Sequence, residues 1–311
     1  MRLVLFLLLV LLLSGCGASS VIQKIDYMSG DFTGCAVGAY VNGVANLPGF
    51  QTLIGKNLAV VLSYVHWQDP FPSAEADIVA ANDSIPLITW EPWITNEAGN
   101  LNAISTGYYE SYVREFIQAA KDWGKPLFLR FAHEMNGNWY PWDGLHNGQD
   151  PGKYKQAWIY IYSVREELAA DNVYLVWSPN NANMPEADWN VLSAYYPGDQ
   201  YVDWIGMDGY NWGYADWGSF ESVFGDVYQT LAALTDKPLM IGEFASAEQG
   251  GSKAGWITDA LAKIKAEYPR VKIFCWFNID KERDWRVTSS ATAETSFNQA
   301  LQDGYFLDKI R

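Results

Sequence analysis

The feature that most limits the fold of this chain is a rhythm of short apolar runs separated by helical stretches. Eight runs, at 36–41, 58–66, 85–90, 126–133, 173–177, 203–207, 238–244 and 271–277, are rich in Val, Ile, Leu and aromatic residues. None alternates cleanly between apolar and polar, as expected for parallel strands covered on both faces. Gly124-Lys125-Pro126, Asp236-Lys237-Pro238 and Tyr268-Pro269 punctuate three of the approaches. Between runs, Tyr109, Tyr112, Val113, Phe116, Ile117 and Ala120 follow the spacing of one helical face. Trp256, Ile257, Ala260, Leu261 and Ile264 repeat it behind Ser252, an expected N-cap. The helices after the first and fifth runs are poorly marked and are assigned by counting. Eight strand and helix units predict an α/β fold, a single-domain (β/α)8 TIM barrel. A doubly wound open sheet competes, but its glycine-rich first turn does not follow the first run.

Residues 1–15 stand outside this rhythm. Arg2 precedes an unbroken apolar run at 3–13, too short to span a bilayer, which ends in Leu13-Ser14-Gly15-Cys16. That ending resembles a bacterial lipoprotein signal. The resemblance implies removal of 1–15, acylation of Cys16, a leader or tether over 16–34 and a folded domain over 35–311. An ordinary secretory signal cut near Ala18 is the alternative. Either way the protein is exported, and a lipid would tether it at the cell surface or in the periplasm without a spanning helix.

Charge narrows the ligand. The chain carries 36 acidic and 21 basic residues, a net charge of −15, which disfavours nucleic acid and polyanionic polysaccharides. Cys35 and Cys275 are expected as buried free thiols, and His66, His133 and His146 show no metal-ligand spacing. No metal or cofactor is expected, and the chain is read as a monomer.

In a TIM barrel, chemistry gathers at the C-terminal ends of the strands. There the sequence places His66-Trp67, Trp90-Glu91, His133-Glu134, Asn180, Asp208 with Tyr210, Glu243, and Trp276 with Asn278. Aromatic residues crowd the same places, including Trp93, Trp139, Tyr140, Trp142 and Trp212. Flat aromatic faces beside Asn, Asp and Glu suit a pyranose ring, with its apolar C–H faces and polar rim. Trp90, Trp142 and Asn180 are therefore counted among the sugar-binding candidates. Two carboxylates stand out, Glu134 after the fourth run and Glu243 in the seventh. Glycoside hydrolysis needs two carboxyl groups flanking one bond, about 5–5.5 Å apart when configuration is retained. One must hold a proton while the other stays ionised.

Arg130-Phe131-Ala132-His133-Glu134-Met135-Asn136-Gly137 resembles the acid/base motif of glycoside hydrolase family 26, and Ile241-Gly242-Glu243-Phe244 resembles its nucleophile segment. The resemblance covers most of 36–302 and implies a retaining glycosidase on a (β/α)8 barrel. By it, Glu134 is the general acid/base and Glu243 the nucleophile. His133 bonds the sugar on the glycone side, and Tyr210 of Asp208-Gly209-Tyr210 orients Glu243. Trp276 floors the reacting sugar, and Trp139 stacks on the leaving-group side. Arg130, four residues before Glu134, either keeps Glu243 anionic or forms an ion pair inside the barrel.

For substrate, the resemblance implies a neutral β-linked polysaccharide cleaved internally. His-Glu-Met-Asn-Gly at 133–137 points first to β-mannan or glucomannan. Thr89-Trp90-Glu91-Pro92-Trp93 and Lys281-Glu282-Arg283-Asp284-Trp285-Arg286 resemble instead the family's mixed-linkage β-glucanase (lichenase) branch. A non-catalytic polysaccharide-binding lipoprotein and a transglycosylase are the alternatives of other kinds.

Overall fold

A computed structural model describes residues 27–94 and 100–310. Cys16, the expected signal segment at 1–15 and most of the expected leader lie outside the described residues.

Eight parallel strands close into a barrel: β1 (Cys35–Tyr40), β2 (Val60–His66), β3 (Ile85–Glu91), β4 (Leu127–Phe131), β5 (Val173–Trp177), β6 (Trp204–Asn211), β7 (Leu239–Ser246) and β8 (Val271–Phe277). They pair in chain order, and β1 closes the ring by pairing with both β8 and β2. This is the expected (β/α)8 TIM barrel. A two-residue strand, β9 (Phe306–Leu307), pairs with the start of β1, below the point where β2 joins it. No sequence signal announced it.

Helices α1 (Leu47–Ile54), α2 (Ser73–Ala81), α3 (Asn100–Ser105), α4 (Glu110–Trp123), α5 (Pro151–Glu167), α6 (Phe220–Leu234), α7 (Lys253–Ala266) and α8 (Ala291–Ala300) are described around the barrel. The two helical stripes read from sequence lie on α4 and α7, with Val113, Phe116, Ile117 and Ala120 buried on one and Trp256, Ile257, Ala260, Leu261 and Ile264 on the other. The helix counted after β5 is a correction. Three short 3-10 turns, Asp188–Asn190, Leu192–Tyr195 and Asp199–Tyr201, fill the connection to β6. Pro185 and Pro197 in this stretch lack the N–H that a continuous helix needs.

Two layers of packing follow from the strand pleat, which sends successive side chains to opposite faces. Val60, Leu62, Leu87, Phe128, Val176, Trp204, Met240, Ile273 and Cys275 fill the barrel interior. Val61, Ile88, Leu129, Phe131, Leu175, Trp177, Ile241, Phe274 and Trp276 belong to the larger core shared with the helices. Cys35 and Cys275 are buried free thiols, as expected. At Gly38 an added Cβ would sit 2.6 Å from the Cys275 sulfur and 2.9 Å from the Phe274 carbonyl. The close approach of β1 to β8 therefore requires glycine there.

Ser252 caps α7 as expected, its hydroxyl accepting from the Gly255 N–H at 3.1 Å. Ser252→Ala leaves that donor without its partner and should lower stability by about 1 kcal/mol, measurable by urea unfolding.

Candidate functional site

The site is built upward from Arg130, which points into the barrel from β4 and is completely buried. Its guanidinium donates to Thr89 Oγ1 from β3 at 2.7 and 2.9 Å, to Asp208 Oδ1 from β6 at 2.8 Å and to Glu243 Oε1 from β7 at 2.5 Å. The interior ion pair is present, and the Arg130 charge favours the ionised form of Glu243. Asp208 also accepts from the Ser178 hydroxyl at 3.0 Å.

Glu243 reaches this net through an irregularity. Met240 faces inward and Ile241 outward, so plain alternation would turn residue 243 towards the helices. The pairing of β7 shifts against β6 between Met207 and Asp208 and against β8 between Ile241 and Phe244. Such a bulge re-aims a side chain, and Glu243 turns into the mouth. Gly242 makes room for Asp208 and Arg130, because an added Cβ would lie 2.5 Å from Asp208 Oδ1 and 2.6 Å from Arg130 Nη1.

Besides Arg130, Glu243 accepts from the hydroxyls of Tyr64 at 2.6 Å and Tyr210 at 2.5 Å. Burial by itself would raise its pKa. The Arg130 charge and the two tyrosine hydroxyls outweigh burial and bring it down to about 2. His133 lies 3.7 Å away, but burial first, and then Arg130, lower its own pKa to about 3. It is a neutral imidazole near pH 7, so the cation that holds Glu243 anionic is Arg130.

Glu134 meets opposite conditions. Burial and the neighbouring Asp208 and Glu243 carboxyls push its pKa well above the usual carboxylate range. A hydrogen bond from the Trp139 indole to Oε2, at 2.8 Å, opposes this without reversing it. Its backbone is left-handed, with φ at 54°, as is that of Ala132 at 47°. Non-glycine residues in this region cost about 1–3 kcal/mol each and persist where surrounding bonds hold them. Here the Glu134 N–H donates to the Ser178 carbonyl at 2.8 Å. The Asn136 amide behind it spans the loops after β4 and β5, donating to the Asn180 carbonyl and accepting from the Asn180 N–H. One buried carboxyl held protonated and another held ionised is the arrangement that acid-assisted displacement requires.

The aromatic candidates divide. Trp139 is 42% exposed beside Glu134. Trp276 and Trp90 need correction, because both face the helical layer. Trp276 packs on Phe244, Trp256 and Phe297 and donates to the Trp285 carbonyl. Trp90 stacks on Phe116 with centroids 4.2 Å apart and donates to the Tyr112 hydroxyl. Their inward neighbours, Phe277 and Glu91, stand at the mouth instead. Phe277 lies against Tyr40, Tyr64 and Tyr210. Trp142 is also buried, with its indole on the His133 carbonyl and its ring under Tyr140 at 4.2 Å, so Tyr140 covers it. Asn180 is buried beside Asp208, its side-chain N–H committed to the Ala182 carbonyl at 2.7 Å. It holds the loop. Tyr64, Thr89 and Ser178 are site residues that sequence reasoning missed. Tyr64 shares the inward face of β2 with Val60 and Leu62, a signal readable only once that face is known.

Residues 13–307 match the model of a family described as glycosyl hydrolase family 26. The chain is 37% identical over 308 residues to Endoglucanase H of Acetivibrio thermocellus, covering 94% of this chain and 33% of that protein. It thus spans about a third of that relative's length. It is 28% identical to a mannan endo-1,4-beta-mannosidase of Bacillus subtilis over 95% of this chain and 74% of the relative. The structure of the Bacillus subtilis mannanase BCman superposes with a TM-score of 0.67 at 20% identity, covering 91% of this chain and 89% of the other. At that identity the likeness speaks for the fold.

Two variants test this geometry. Trp276→Ala should destabilise the fold by about 3–5 kcal/mol while leaving KM of the folded protein near the wild-type value; a KM raised without loss of stability contradicts its outward placement. Tyr210→Phe removes one donor from Glu243. The acid limb of the kcat/KM profile should then rise by about one pH unit, because a carboxylate with fewer donors loses its charge at higher pH.

Proposed function

The chain belongs to glycosyl hydrolase family 26, and we propose that it is a retaining endo-β-glycanase acting on a neutral β-linked polysaccharide. The observation that carries this reading is the pair Glu134 and Glu243, two buried carboxyls at one barrel mouth driven to opposite protonation states. In the first displacement the Glu243 carboxylate attacks the anomeric carbon while Glu134 gives its proton to the departing oxygen. The leaving chain departs as an alcohol, and a glycosyl ester on Glu243 remains. Glu134, now ionised, takes a proton from a water that attacks the same carbon from the vacated side. Glu243 is released as a carboxylate, Glu134 regains its proton, and two inversions give net retention.

The other groups serve these steps. Arg130, Tyr64 and Tyr210 keep the nucleophile ionised and aimed. Trp139 orients Glu134 and offers its exposed face to the leaving chain. The Nε2 of His133 lies 3.7 Å from Glu243 Oε1, and on the family resemblance we assign this side chain to a sugar hydroxyl on the glycone side.

For the backbone sugar, the likeness to Endoglucanase H is stronger than that to the mannosidase. It supports a glucose-containing chain, mixed-linkage β-glucan or glucomannan. The His-Glu-Met-Asn-Gly run favours mannan. Mannose and glucose differ in one hydroxyl orientation, so one or two hydrogen bonds of about 0.5–1.5 kcal/mol each select between them. We further propose export as a lipoprotein acylated at Cys16, with 35–311 as the catalytic domain.

Reducing-sugar release from galactomannan, glucomannan, barley β-glucan and lichenan tests the reading. Wild type should cleave at least one, with the β-anomer appearing first by NMR, and Glu243→Ala should lose more than about 10³-fold in kcat. Glu134→Ala should lose about 10²–10⁴-fold on polysaccharide and far less on aryl glycosides whose leaving group needs no proton. Binding without release by the wild type, or an α-anomer formed first, refutes it.

A further inference from the structure

The turn that carries Glu134 is gripped by the long connection between β5 and β6. Its backbone is left-handed at Ala132 and Glu134, so it keeps that shape only while other groups hold it. Asn136, two residues on, is completely buried and commits its side chain to Asn180 and Asn183 of that connection. Its carbonyl accepts from the Met184 N–H at 2.8 Å and from the Asn190 side chain at 3.0 Å.

Asn190 lies in the first of the three 3-10 turns that stand where a helix was expected. It is completely buried, and both ends of its amide are engaged. Nδ2 donates to the Asn136 carbonyl and, at 2.9 Å, to the Pro185 carbonyl, while Oδ1 accepts from the Tyr195 hydroxyl at 2.6 Å. Tyr195, in the second turn, is buried as well and stands edge-on to Tyr154 of α5, with centroids 5.9 Å apart. Its hydroxyl occupies the space that Gly144 leaves. A Cβ added at Gly144 would overlap that oxygen and lie 2.8 Å from the Trp189 ring. Gly144 in turn donates its N–H to the Met135 carbonyl at 3.0 Å. The two turns thus bear on the β4 loop at Asn136 and Gly144, both joined directly to Met135, the neighbour of Glu134. A helix docked on the outer wall of the barrel would carry these side chains away from the mouth.

Proton transfer to the departing oxygen needs the donor within about 2.6–3.2 Å, and a misplacement of about 1 Å can cost 10²-fold. The reach of Glu134 is decided by the turn beneath it. Glu243 is fixed separately, by Arg130, Tyr64 and Tyr210. Loosening the turn therefore spoils the acid and spares the nucleophile. We propose that Asn190 and Tyr195 are positioning residues for the general acid, holding the Glu134 turn through Asn136 and Gly144. The assignment rests on the glycanase reading and gives the irregular β5–β6 connection a part in it.

The test compares wild type, Asn190→Ala, Tyr195→Phe and Gly144→Ala on two aryl β-glycosides of the oligosaccharide that wild type releases from its polysaccharide. One carries phenol, whose departure needs a proton, and the other dinitrophenol, whose departure does not. In Asn190→Ala and Gly144→Ala, kcat/KM on the phenyl glycoside should fall about 10–100-fold, and on the dinitrophenyl glycoside by less than about twofold. Tyr195→Phe keeps the ring and loses one donor, so the ratio of phenyl to dinitrophenyl kcat/KM should fall by about threefold or more. It decides the question if the other two variants do not fold. A merely structural role lowers the urea midpoint and leaves this ratio at its wild-type value. That result in the folded variants, or a loss equal on both glycosides, overturns the positioning role while leaving the glycanase reading intact. A wild type that releases nothing from galactomannan, glucomannan, barley β-glucan and lichenan alike overturns the glycanase reading, and the positioning role with it.

Discussion

A single positive charge inside the barrel organises this protein. Arg130 is completely buried and spends its donors on Thr89, Asp208 and Glu243, drawn from three other strands. Taking a guanidinium out of water costs several kcal/mol, which only close acceptors of opposite charge offset. Removing one partner of such a net typically costs about 3–5 kcal/mol, because it strands a buried charge. The net is therefore a constraint on the strands, and its dimensions depend on missing side chains. Gly242 leaves the space the guanidinium and Asp208 occupy, and a Cβ at Gly206 would strike the Ser178 hydroxyl that bonds Asp208.

The chemistry at the mouth follows from where that charge is and where it is not. Glu243 touches Arg130 and two tyrosine hydroxyls; Glu134, equally enclosed, has an indole and negative neighbours. Two identical side chains thus hold different protonation states in one cleft. Rigid surroundings make the difference useful, since a carboxyl free to swing would find water and lose its shift. The loop that carries Glu134 is held by the Asn136 amide and by the Ser178 carbonyl, at the expense of left-handed backbone at two non-glycine residues. The loop after β8 is fastened in its turn by Lys253. Its buried ammonium donates to the carbonyls of Asp284 and Arg286 and to the Ser289 hydroxyl. That loop presents Trp285, which packs beside Tyr210 and so backs one of the donors to Glu243.

Much of this was legible in the residues. The eight strands emerged because each run is apolar on both faces, and α4 and α7 because their stripes repeat at helical spacing. Glu134, Glu243, Tyr210 and Asp208 stood out as polar groups at the ends of apolar runs, where burial without a partner is expensive, and Arg130 by its place in the motif four residues before Glu134. The property that exposed the strands also hid their facing. A run without alternation does not say which parity points inward, so Trp90, from the crowding of aromatics at strand ends, and Trp276, from the family resemblance, were preferred to Glu91 and Phe277. Between β5 and β6, counting supplied a helix where the chain folds into short turns.

The pattern of apolar runs, helical stripes and strand-end carboxylates determined by itself that this chain closes as a barrel with two glutamates at its mouth, because hydrophobic spacing and the cost of burying charge act locally. Which side chains meet across the barrel was decided only in three dimensions. The bulge in β7 turns Glu243 inward, and Tyr64 arrives from a strand 179 positions away in the chain. The identity of a residue's neighbours, and with it the split between a protonated and an ionised glutamate, is a property of strand register and facing rather than of residue order.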